Sequence, residues 1–556
     1  MCGIFCVFSE TSNLNVTEKF SKIFQEFSLN ISRRGPNHSK IEICHNEDTI
    51  FLFASSVLWL QGNKLTKQPI IENDHILLYN GDIFNDENEN QRNAYGDTKL
   101  FLDYFKSDQS LCSLFNTNGP FSFICLDKTK SILHIGRDKY GRRSLLLGKS
   151  NEGEIIVTSV AKRTSSYKFI ELPSLGILSF NFKTQIVTLK PWYRENVNSC
   201  SKIREIEIFL GKNLNVEEPI SDSLFIKDFI EPTEIELTIY RSLDSSIRGT
   251  DILSYAFSCN KFADDVQELK RRLENSIKRR ITGQPDFCQN CIKKQQPCDH
   301  AVVGVLFSGG VDCAVIALLA HKFVPINKPI DLLNVAFSKY DFNTPDRITG
   351  LQTLRELEKL CPERTWKFVE INVKDEELDK EREKRIADLI YPLNTILDDS
   401  LGCALWFASR GQSEDYTSPS RILLVGTGAD ELFGGYSRHR AAFRNESWIG
   451  LHKVLKEDWE NLPYRNLGRD DRVVSDNGRQ LRTPYLDEDV VQFVQSLNCW
   501  EKTFPSKDDT GPKFLLRGLA FHLHLKNAAV LKKRALQFGS RIANSKENAR
   551  NVSPRL

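Results

Sequence analysis

VVGVLFSGGVDCAVIALLA, residues 302–320, is the most informative run of the chain. Its apolar, β-branched beginning predicts a buried strand that ends at Phe307, and the residues from Asp312 onward predict a helix. Gly309 and Gly310 in the intervening loop allow backbone N–H groups to turn toward a bound anion, and the helix N-terminus adds partial positive charge. The loop lacks the Gly-Lys-Ser/Thr ending of a Walker loop. It therefore indicates a phosphate site of another kind, although a tight turn without a ligand has the same local pattern.

The residues on either side of this run predict an α/β domain. FADDVQELKRRLENSIKRRI, residues 262–281, places apolar side chains at steps of three and four and predicts an amphipathic helix. Strand-like runs then alternate with helical ones as far as RILLVGTG, residues 421–428. Such alternation is typical of a parallel sheet with helices on both faces.

A second strand and glycine loop occur in RILLVGTGADELFGGYSRHR, residues 421–440, where Asp430 and Glu431 follow the glycines. Carboxylates at the ends of two parallel strands, Asp312 and Asp430, would suit Mg²⁺, which takes a few protein carboxylates together with phosphate oxygens. The alternative for Asp430 is an ordinary helix N-terminus, where acidic residues are favoured.

A third element lies near the C-terminus, in GPKFLLRGLA, residues 511–520. Lys513 and Arg517 are one helical turn apart and can reach the same anion. The alternative is a solvated basic face of the helix.

Residues 1–193 predict a different kind of domain. Short alternating runs with β-branched residues and Gly, Asn or Asp at their ends indicate many strands, and two stretches have helical spacing. We expect an α+β domain on antiparallel sheets over 1–193 and a polar linker or variable insertion over 194–260. The α/β domain then covers 261–545, and the polar tail, 546–556, is expected to fray.

Cys2 and Gly3 directly follow the initiator methionine. If Met1 is trimmed, Cys2 carries both a thiol and a free α-amine, whose ordinary pKa of about 8 allows it to act as a base toward the thiol near neutral pH. The alternative is an accident of sequence.

Composition excludes several classes of protein. A formal net charge of +2 over 556 residues gives no sign of a nucleic-acid or membrane-surface protein. No apolar run reaches the ~18 residues of a membrane span, and the N-terminus lacks the features of a signal peptide. The 14 cysteines are too sparse for a disulfide scaffold, so we expect a reducing, cytoplasmic location.

One local cluster of cysteines leaves two interpretations open. FCQNCIKKQQPCDH contains Cys288, Cys291, Cys298 and His300. The C-x-x-C spacing suits zinc. The short polar loop and the C-x-H ending are irregular for such a site and favour an insertion loop that carries free thiols.

Together, these motifs resemble the family of glutamine-dependent asparagine synthetases, and the resemblance covers most of the chain outside 194–260 and 283–300. In the family's order the chain has MCGI, RRGPN, NGDIFN, GDT, RDKYGRRSLL, SGGVD, GTGADELFGGY, LRTPYLDEDV and KFLLR. NVAFSKYDFNTPDRITG, LDDSLGCALWFASRG and NLGRDDRVV indicate a divergent branch of it. The resemblance implies an N-terminal-nucleophile glutaminase domain, an αββα sandwich, followed by an α/β ATP-pyrophosphatase domain of the adenine nucleotide alpha hydrolase-like kind.

The resemblance also implies roles for individual residues. The catalytic residues would be Cys2 as nucleophile, Asn80 and Gly81 as oxyanion donors, and Lys513. The glutamine-binding residues would be Arg34, Asp82 and Asp97. ATP and pyrophosphate would be bound by Leu306, Ser308, Gly309, Gly310, Asp312, Cys313, Gly426, Thr427 and Lys513. The implied cofactors are ATP and Mg²⁺, with Asp312 and Asp430 as metal ligands.

Three positions depart from the family pattern. Val57 stands where the family has an arginine that grips the glutamine carboxylate, Thr427 stands where it has a carboxylate, and Cys313 replaces a serine. The leading interpretation is glutamine hydrolysis coupled to ATP-dependent amidation of aspartate. The alternatives are amidation or adenylation of another acid, and a catalytically impaired scaffold for a protein partner. We expect small-molecule substrates, no nucleic acid or membrane, and a homodimer as the candidate assembly.

Overall fold

A computed structural model provides the architecture of the protein. It describes residues 2–9, 16–85, 87, 89–106, 110–198, 200–222, 226–237, 249–505, 509–543 and 547–556. No helix of these residues is long and apolar enough to cross a membrane.

Two antiparallel sheets form the first domain. The first has the strand order β10-β8-β9-β1-β3-β2 and the second β13-β12-β11-β7-β6-β5-β4, with only the edge strand β13 parallel to its neighbour. The strands are β1 Gly3–Ser9, β2 His38–Asn46, β3 Thr49–Val57, β4 Ile70–Glu72, β5 His75–Gly81, β6 Phe121–Asp127, β7 Ile132–Arg137, β8 Leu146–Ser150, β9 Ile155–Thr158, β10 Tyr167–Glu171, β11 Gly176–Asn181, β12 Val187–Pro191 and β13 Leu214–Val216.

The helices of this domain are α1 Val16–Arg34, α2 Glu89–Tyr95, α3 Asp97–Asp103, α4 Ser110–Ser113, α5 Arg194–Asn198 and α6 Cys200–Leu210. Helices α1 and α3 cover the outer faces of the first and second sheets. Alternate residues of β1 face two cores. Ile4 and Cys6 pack against the second sheet, whereas Phe5 and Val7 pack against α1. The outer face of the second sheet packs on α3 through Tyr79 and Phe101. These layers confirm the predicted αββα sandwich.

The start of the predicted linker belongs to this sandwich. Residues 194–216 form α5, α6 and β13, because Ile206 and Leu210 of α6 are buried in the core between the sheets. The exact domain boundaries stay predictions.

The second domain has a five-stranded parallel sheet with the order β16-β15-β14-β17-β18. The strands are β14 Val303–Leu306, β15 Ile330–Phe337, β16 Trp366–Val373, β17 Ile422–Leu424 and β18 Gln480–Arg482. The chain runs outward from β14 to β16 and then crosses to the other side of β14. Ligands bind beyond the carboxyl ends of strands at such a reversal of strand order. The loops after β14 and β17, which carry the two glycine motifs, meet there.

Helices pack on both faces of this sheet, as predicted. They are α7 Thr250–Ala256, α8 Asn260–Ile281, α9 Val311–Ala320, α10 Pro345–Leu360, α11 Asp375–Glu381, α12 Ala387–Ile390, α13 Ile396–Arg410, α14 Ala429–Phe433, α15 Ser437–Arg465, α16 Leu467–Ser475, α17 Glu488–Ser496, α18 Cys499–Lys502, α19 Phe514–His522, α20 Lys526–Val530 and α21 Leu536–Gly539. The apolar face of α8 packs with α9 and α19 on one side, and α13 packs on the other.

The polar tail does not fray as expected. The backbone N–H groups of Ile396 and Leu397 donate to carbonyls at Asn551 and Ala549, 2.9 and 3.0 Å away. Arg555 donates to the buried carboxylate of Asp399 at 2.7 Å. These contacts hold residues 547–556 against the start of α13.

Candidate active sites

Cys2 lies at the entrance to β1, where three neighbours fix it. Its backbone nitrogen donates to Asn80 Oδ1 at 2.9 Å, and its carbonyl accepts from Arg34 Nε at 3.4 Å. Gln68 Nε2 lies 3.5 Å from Cys2 Sγ. The sequence analysis missed Gln68, because no local pattern marks a glutamine that points at a thiol. These contacts hold the nitrogen and the thiol of one residue at the mouth of the same pocket.

Asn80, at the end of β5, is fully buried, and its two side-chain atoms differ in their bonding. Oδ1 accepts from Cys2, whereas Nδ2 has no hydrogen-bond partner among the described residues. A buried amide donor without a partner is unfavourable unless a ligand completes its bonding. Gly81, the next residue, lines the pocket beside Cys2. The two predicted oxyanion donors therefore lie next to Cys2.

Asp97, at the start of α3, lines the same pocket. Its Oδ2 accepts from the backbone N–H of Ile83 at 3.1 Å, and its Oδ1 has no partner among the described residues. Burial, and after it the charge of Asp82, raise the pKa of Asp97 well above its ordinary value. An ammonium group in the pocket would satisfy Oδ1 and restore the charged carboxylate, as the predicted role requires.

The described side chains that line the pocket carry no positive charge. The described residues that line it include no lysine, arginine or histidine, and Val57 forms part of its wall. No other cation at the wall therefore takes over the role of the arginine that the family pattern places at position 57. The cavity volume is about 40 Å³.

The second domain closes this pocket from one side. Asp82 accepts from Gln480 Nε2 at 2.8 Å and from Arg482 Nη2 at 2.9 Å, both on β18. Burial acts to raise the pKa of Asp82, but Arg482 and Arg143 outweigh burial and hold it well below its ordinary value. Gln480 itself lines the pocket. At the other end of β18, the Arg482 carbonyl accepts from the N–H of Val425, just before the second glycine loop. One short strand thus contacts both candidate sites.

Arg34 does not line the pocket, although the sequence analysis gave it a glutamine-binding role. Its Nη2 pairs with Asp471 of the second domain at 2.7 Å, and Arg143 contacts the same carboxylate at 3.2 Å. Arg34 therefore donates to the Cys2 carbonyl and, through Asp471, links the first domain to the second.

The second site is a cavity of about 860 Å³ at the carboxyl ends of β14 and β17. Gly309, with φ of 80°, turns the loop after β14; a Cβ there would lie 2.5 Å from the backbone of Thr349. Gly309 thus lies behind the loop rather than in the wall. The predicted residues that do line the cavity are Leu306, Ser308, Gly310, Asp312, Cys313, Gly426, Thr427 and Asp430.

Lys513 bridges the two carboxylates. Its Nζ lies 2.6 Å from Asp312 Oδ2 and 2.7 Å from Asp430 Oδ1. Burial acts to lower the pKa of Lys513, but the two carboxylates outweigh burial and raise it. Gly435 permits this approach, because a Cβ there would lie 2.3 Å from Lys513 Cε. The three motifs of the sequence thus meet at one ammonium group.

Sequence analysis missed Lys533, whose Nζ lies 2.8 Å from Asp430 Oδ2. Each oxygen of Asp430 therefore pairs with a lysine. Burial acts to raise the pKa of Asp430, but Lys513 and Lys533 outweigh burial and hold the pKa well below its ordinary value. Asp312 Oδ1 has no hydrogen-bond partner among the described residues. The residues therefore fit Mg²⁺ at Asp312, while Lys513 takes the bridging position that we predicted for the metal.

Two departures from the family pattern lie in this cavity. Cys313 Sγ donates to the Gly310 carbonyl at 3.2 Å and lies 3.6 Å from Ser308 Oγ, so the thiol supports the loop much as a hydroxyl would. Burial raises the pKa of Cys313 to about 11 and keeps it a thiol. Thr427 is half-buried in the cavity wall and brings no charge.

Comparison with known families finds two matches. A model described as asparagine synthase matches residues 289–550, and a model described as glutamine amidotransferase domain matches residues 1–179. Each match covers one of the two pockets.

Similar proteins share the two-domain length of this chain. An asparagine synthetase domain-containing protein of Drosophila melanogaster is 36% identical, with 100% of this chain and 100% of that protein covered. Asparagine synthetase domain-containing protein 1 of Homo sapiens is 36% identical, with 98% and 95% covered. The glutamine-hydrolyzing asparagine synthetase of Rattus norvegicus is 25% identical, with 89% and 77% covered.

Proposed function

This chain belongs to the asparagine synthase family, with a glutamine amidotransferase domain ahead of the synthase domain, and from that premise we propose an ATP-dependent amidoligase. Glutamine hydrolysis at Cys2 supplies ammonia. The second site uses ATP to amidate aspartate to asparagine, with release of AMP and pyrophosphate.

The observation that carries the proposal is the ion pairing of buried Lys513 with both Asp312 and Asp430, two carboxylates in the wall of a cavity large enough for a nucleotide and an acid. The acid's carboxylate attacks the α-phosphorus of ATP and pyrophosphate leaves. Ammonia then attacks the acyl carbon and expels AMP. Negative charge builds on the leaving pyrophosphate, and a preorganised ammonium group stabilises it most where water is excluded.

The pocket lined by Cys2, Val57 and Asp97, here called the amide pocket, performs the first half of the reaction. The Cys2 thiol attacks the carboxamide carbon while the α-amine of Cys2 accepts the thiol proton, which requires removal of Met1. We propose that Asn80 Nδ2, which has no hydrogen-bond partner among the described residues, donates to the oxygen of the tetrahedral intermediate, a contact worth about 3 kcal/mol in hydrolases. Asp97 holds the α-ammonium group of the substrate. Ammonia leaves, and water releases glutamate from the thioester.

Mg²⁺ would be held by Asp312 together with phosphate oxygens, and when bound it would neutralise charge on the polyphosphate. Lys533 and Lys513 keep Asp430 ionised beside it.

A second candidate is amidation or adenylation of a different acid, and Thr427 favours it. The family pattern has a carboxylate at this position, near the acceptor. A neutral threonine in the cavity wall removes one contact to an acceptor ammonium group, so the preference for an amino acid weakens.

The test supplies the purified protein with ATP, Mg²⁺ and either glutamine or ammonia, with and without aspartate. Pyrophosphate, AMP, glutamate and asparagine are measured, and intact-mass analysis reports whether Met1 is removed. The proposal expects asparagine from ammonia and, more weakly, from glutamine. Pyrophosphate that depends on another acid supports the second candidate. No pyrophosphate under any condition overturns both and leaves the catalytically impaired scaffold.

A further inference from the structure

The cysteine loop between α8 and β14 brings four ligand atoms together. Cys288, Cys291, Cys298 and His300 each offer one atom, and these atoms all lie within 4.8 Å of one another. The cysteines form no disulfide. The function proposed above uses none of these side chains.

The spacing of these atoms matches a single tetrahedral ion. With a Zn–S bond of about 2.3 Å and a Zn–N bond of about 2.0–2.1 Å, the sulfur-to-nitrogen edge of a tetrahedron is about 3.5 Å. The sulfurs of Cys288 and Cys291 each lie 3.5 Å from His300 Nδ1. The third sulfur, of Cys298, accepts from the Cys288 backbone N–H at 3.4 Å and so faces the same point.

A buried positive charge stands beside the cluster. Arg421 is 1% exposed, and its Nη1 donates to the carbonyl of Phe287, the residue before Cys288. Its Nη2 has no hydrogen-bond partner, and no carboxylate lies within salt-bridge distance of it among the described residues. A buried, unpaired guanidinium is strongly unfavourable. Three thiolates and one divalent ion carry a net charge of −1, which would compensate it.

The loop is anchored to both domains. The Gln289 N–H donates to the Pro419 carbonyl at 2.9 Å, and its side chain donates to the Asn477 carbonyl at 3.2 Å. The ring of Phe287 packs against Trp59 with 6.0 Å between centroids, and Trp59 lines the amide pocket. Because Phe287 contacts Trp59, a ligand that fixes the cysteine loop also fixes the wall of the amide pocket that Trp59 forms.

We propose that Cys288, Cys291, Cys298 and His300 bind one Zn²⁺ as a closed structural site. Four protein ligands leave no open position, which is the hallmark of a structural rather than a catalytic zinc. Binding forms three Zn–S bonds and one Zn–N bond, and the three thiol protons go to solvent. The bound ion fastens the loop, and through Phe287 and Trp59 it braces the domain interface.

The test measures metal in the full-length protein by elemental analysis after purification without chelators. We expect about one zinc per chain. Cys298→Ser removes a ligand and is expected to leave less than about a tenth of that content, whereas His300→Cys keeps four ligands and is expected to retain it. Cys112→Ser, which changes an exposed cysteine elsewhere, is the matched control and is expected to keep full content. Arg421→Met is expected to lower zinc affinity about 10- to 100-fold in competition with a chelator, as loss of an outer-shell partner does.

A spectroscopic arm covers variants that fold poorly. The wild-type protein is stripped of metal and titrated with Co²⁺, and we expect tetrahedral ligand-field bands with thiolate charge-transfer absorption at one equivalent. Octahedral Co²⁺ bands, no uptake of either ion by the folded protein, or a Cys288–Cys291 disulfide in the protein purified under reducing conditions would overturn the proposal. None of these readouts depends on ATP or glutamine, so the zinc site and the proposed activity fail or succeed separately.

Discussion

The two pockets of this protein differ in what each has retained. The cavity at the carboxyl ends of β14 and β17 is called the nucleotide cavity here, after its proposed ligand. Lys513 and Lys533 both pair with Asp430 in its wall, and the cavity is large enough for ATP and an acid. In the amide pocket, Cys2 contacts Asn80, yet the described wall has no cation. Under the proposed function, the first site has charges that complement its ligand. The second has the groups for the chemistry but no cation for the substrate carboxylate among its described lining residues.

The largest effect is expected from Lys513→Ala, which breaks the better-equipped site. Removal of the ammonium leaves Asp312 and Asp430 facing each other, and the charge on departing pyrophosphate loses its partner. Loss of such a preorganised donor lowers kcat on the order of 100- to 1000-fold. Acid-dependent exchange of labelled pyrophosphate into ATP is the measurement, with Lys532→Ala as an exposed neighbouring control. Exchange within about tenfold of wild type would remove Lys513 from the mechanism.

Cys2→Ala separates the pockets. Glutamine-dependent product and glutamate formation are expected to fall to background, because none of the other described residues that line the pocket has a thiol to form the thioester. The ammonia-dependent rate is expected to stay within about twofold of wild type, because the cavity at β14 and β17 is unchanged. Both rates are followed by amino-acid analysis, with Cys112→Ser as the control. Persistent glutamate release by Cys2→Ala would mean that the pocket is not the glutaminase site.

Val57→Arg is expected to tighten the binding of glutamine in the amide pocket, because it adds a cation for the substrate carboxylate. Each hydrogen bond to a charged group contributes about 1.5–3 kcal/mol, so one restored contact lowers the KM for glutamine by about 10- to 150-fold. Val57→Met adds bulk without charge and is expected to give no such gain. Steady-state glutaminase kinetics on both variants are the measurement. An equal change in both would show that pocket shape, not charge, limits binding.

A fourth prediction concerns the stability of the fold and not activity, and it rests on Asp346, an acid in the wall of the nucleotide cavity. Burial raises its pKa to about 7, against which Arg534 acts only weakly. Between about pH 4 and pH 7 the folded protein holds a proton that the unfolded chain has lost, so this group makes the free energy of unfolding fall as pH rises through that window.

Asp346→Asn removes this dependence and is expected to be more stable than wild type at pH 8 by about 2–4 kcal/mol, with little difference at pH 4. Urea unfolding at the two pH values measures it. If Asp346→Asn differed from wild type by the same free energy of unfolding at pH 4 and at pH 8, the difference would come from packing against Gly539 and not from the titration of Asp346.

Much of the fold could be predicted from local pattern. Periodicity and glycine loops predicted the two kinds of sheet and the meeting of Asp312 with Asp430, because strand ends of a parallel sheet share one edge. Pattern could not reveal Lys533 on Asp430 or Gln480 in the amide pocket, since both contacts join residues far apart in sequence. Likewise, Val57 was visible as a departure, but the sequence could not show that the described residues lining the pocket include no lysine, arginine or histidine in its place.

The irregular spacing of the cysteine loop shows the same limit. The C-x-x-C pair is separated by six residues from C-x-H, and this irregular ending favoured free thiols. The folded loop nevertheless brings His300 back onto Cys288 and Cys291. Backbone turns within 288–295 achieve this, and such turns follow no hydrophobic period.

Strand β18 has a thermodynamic consequence for the whole molecule. Gln480 at one end lies in the amide pocket, and the Arg482 carbonyl at the other end holds the loop that carries Thr427. A ligand that displaces this strand from either side alters the affinity of the opposite pocket, and linkage requires the factor to be the same in both directions. If nucleotide binding tightens glutamine binding through β18, glutamine must tighten nucleotide binding equally. A pocket that lacks a cation would then acquire part of its affinity for glutamine from the presence of ATP.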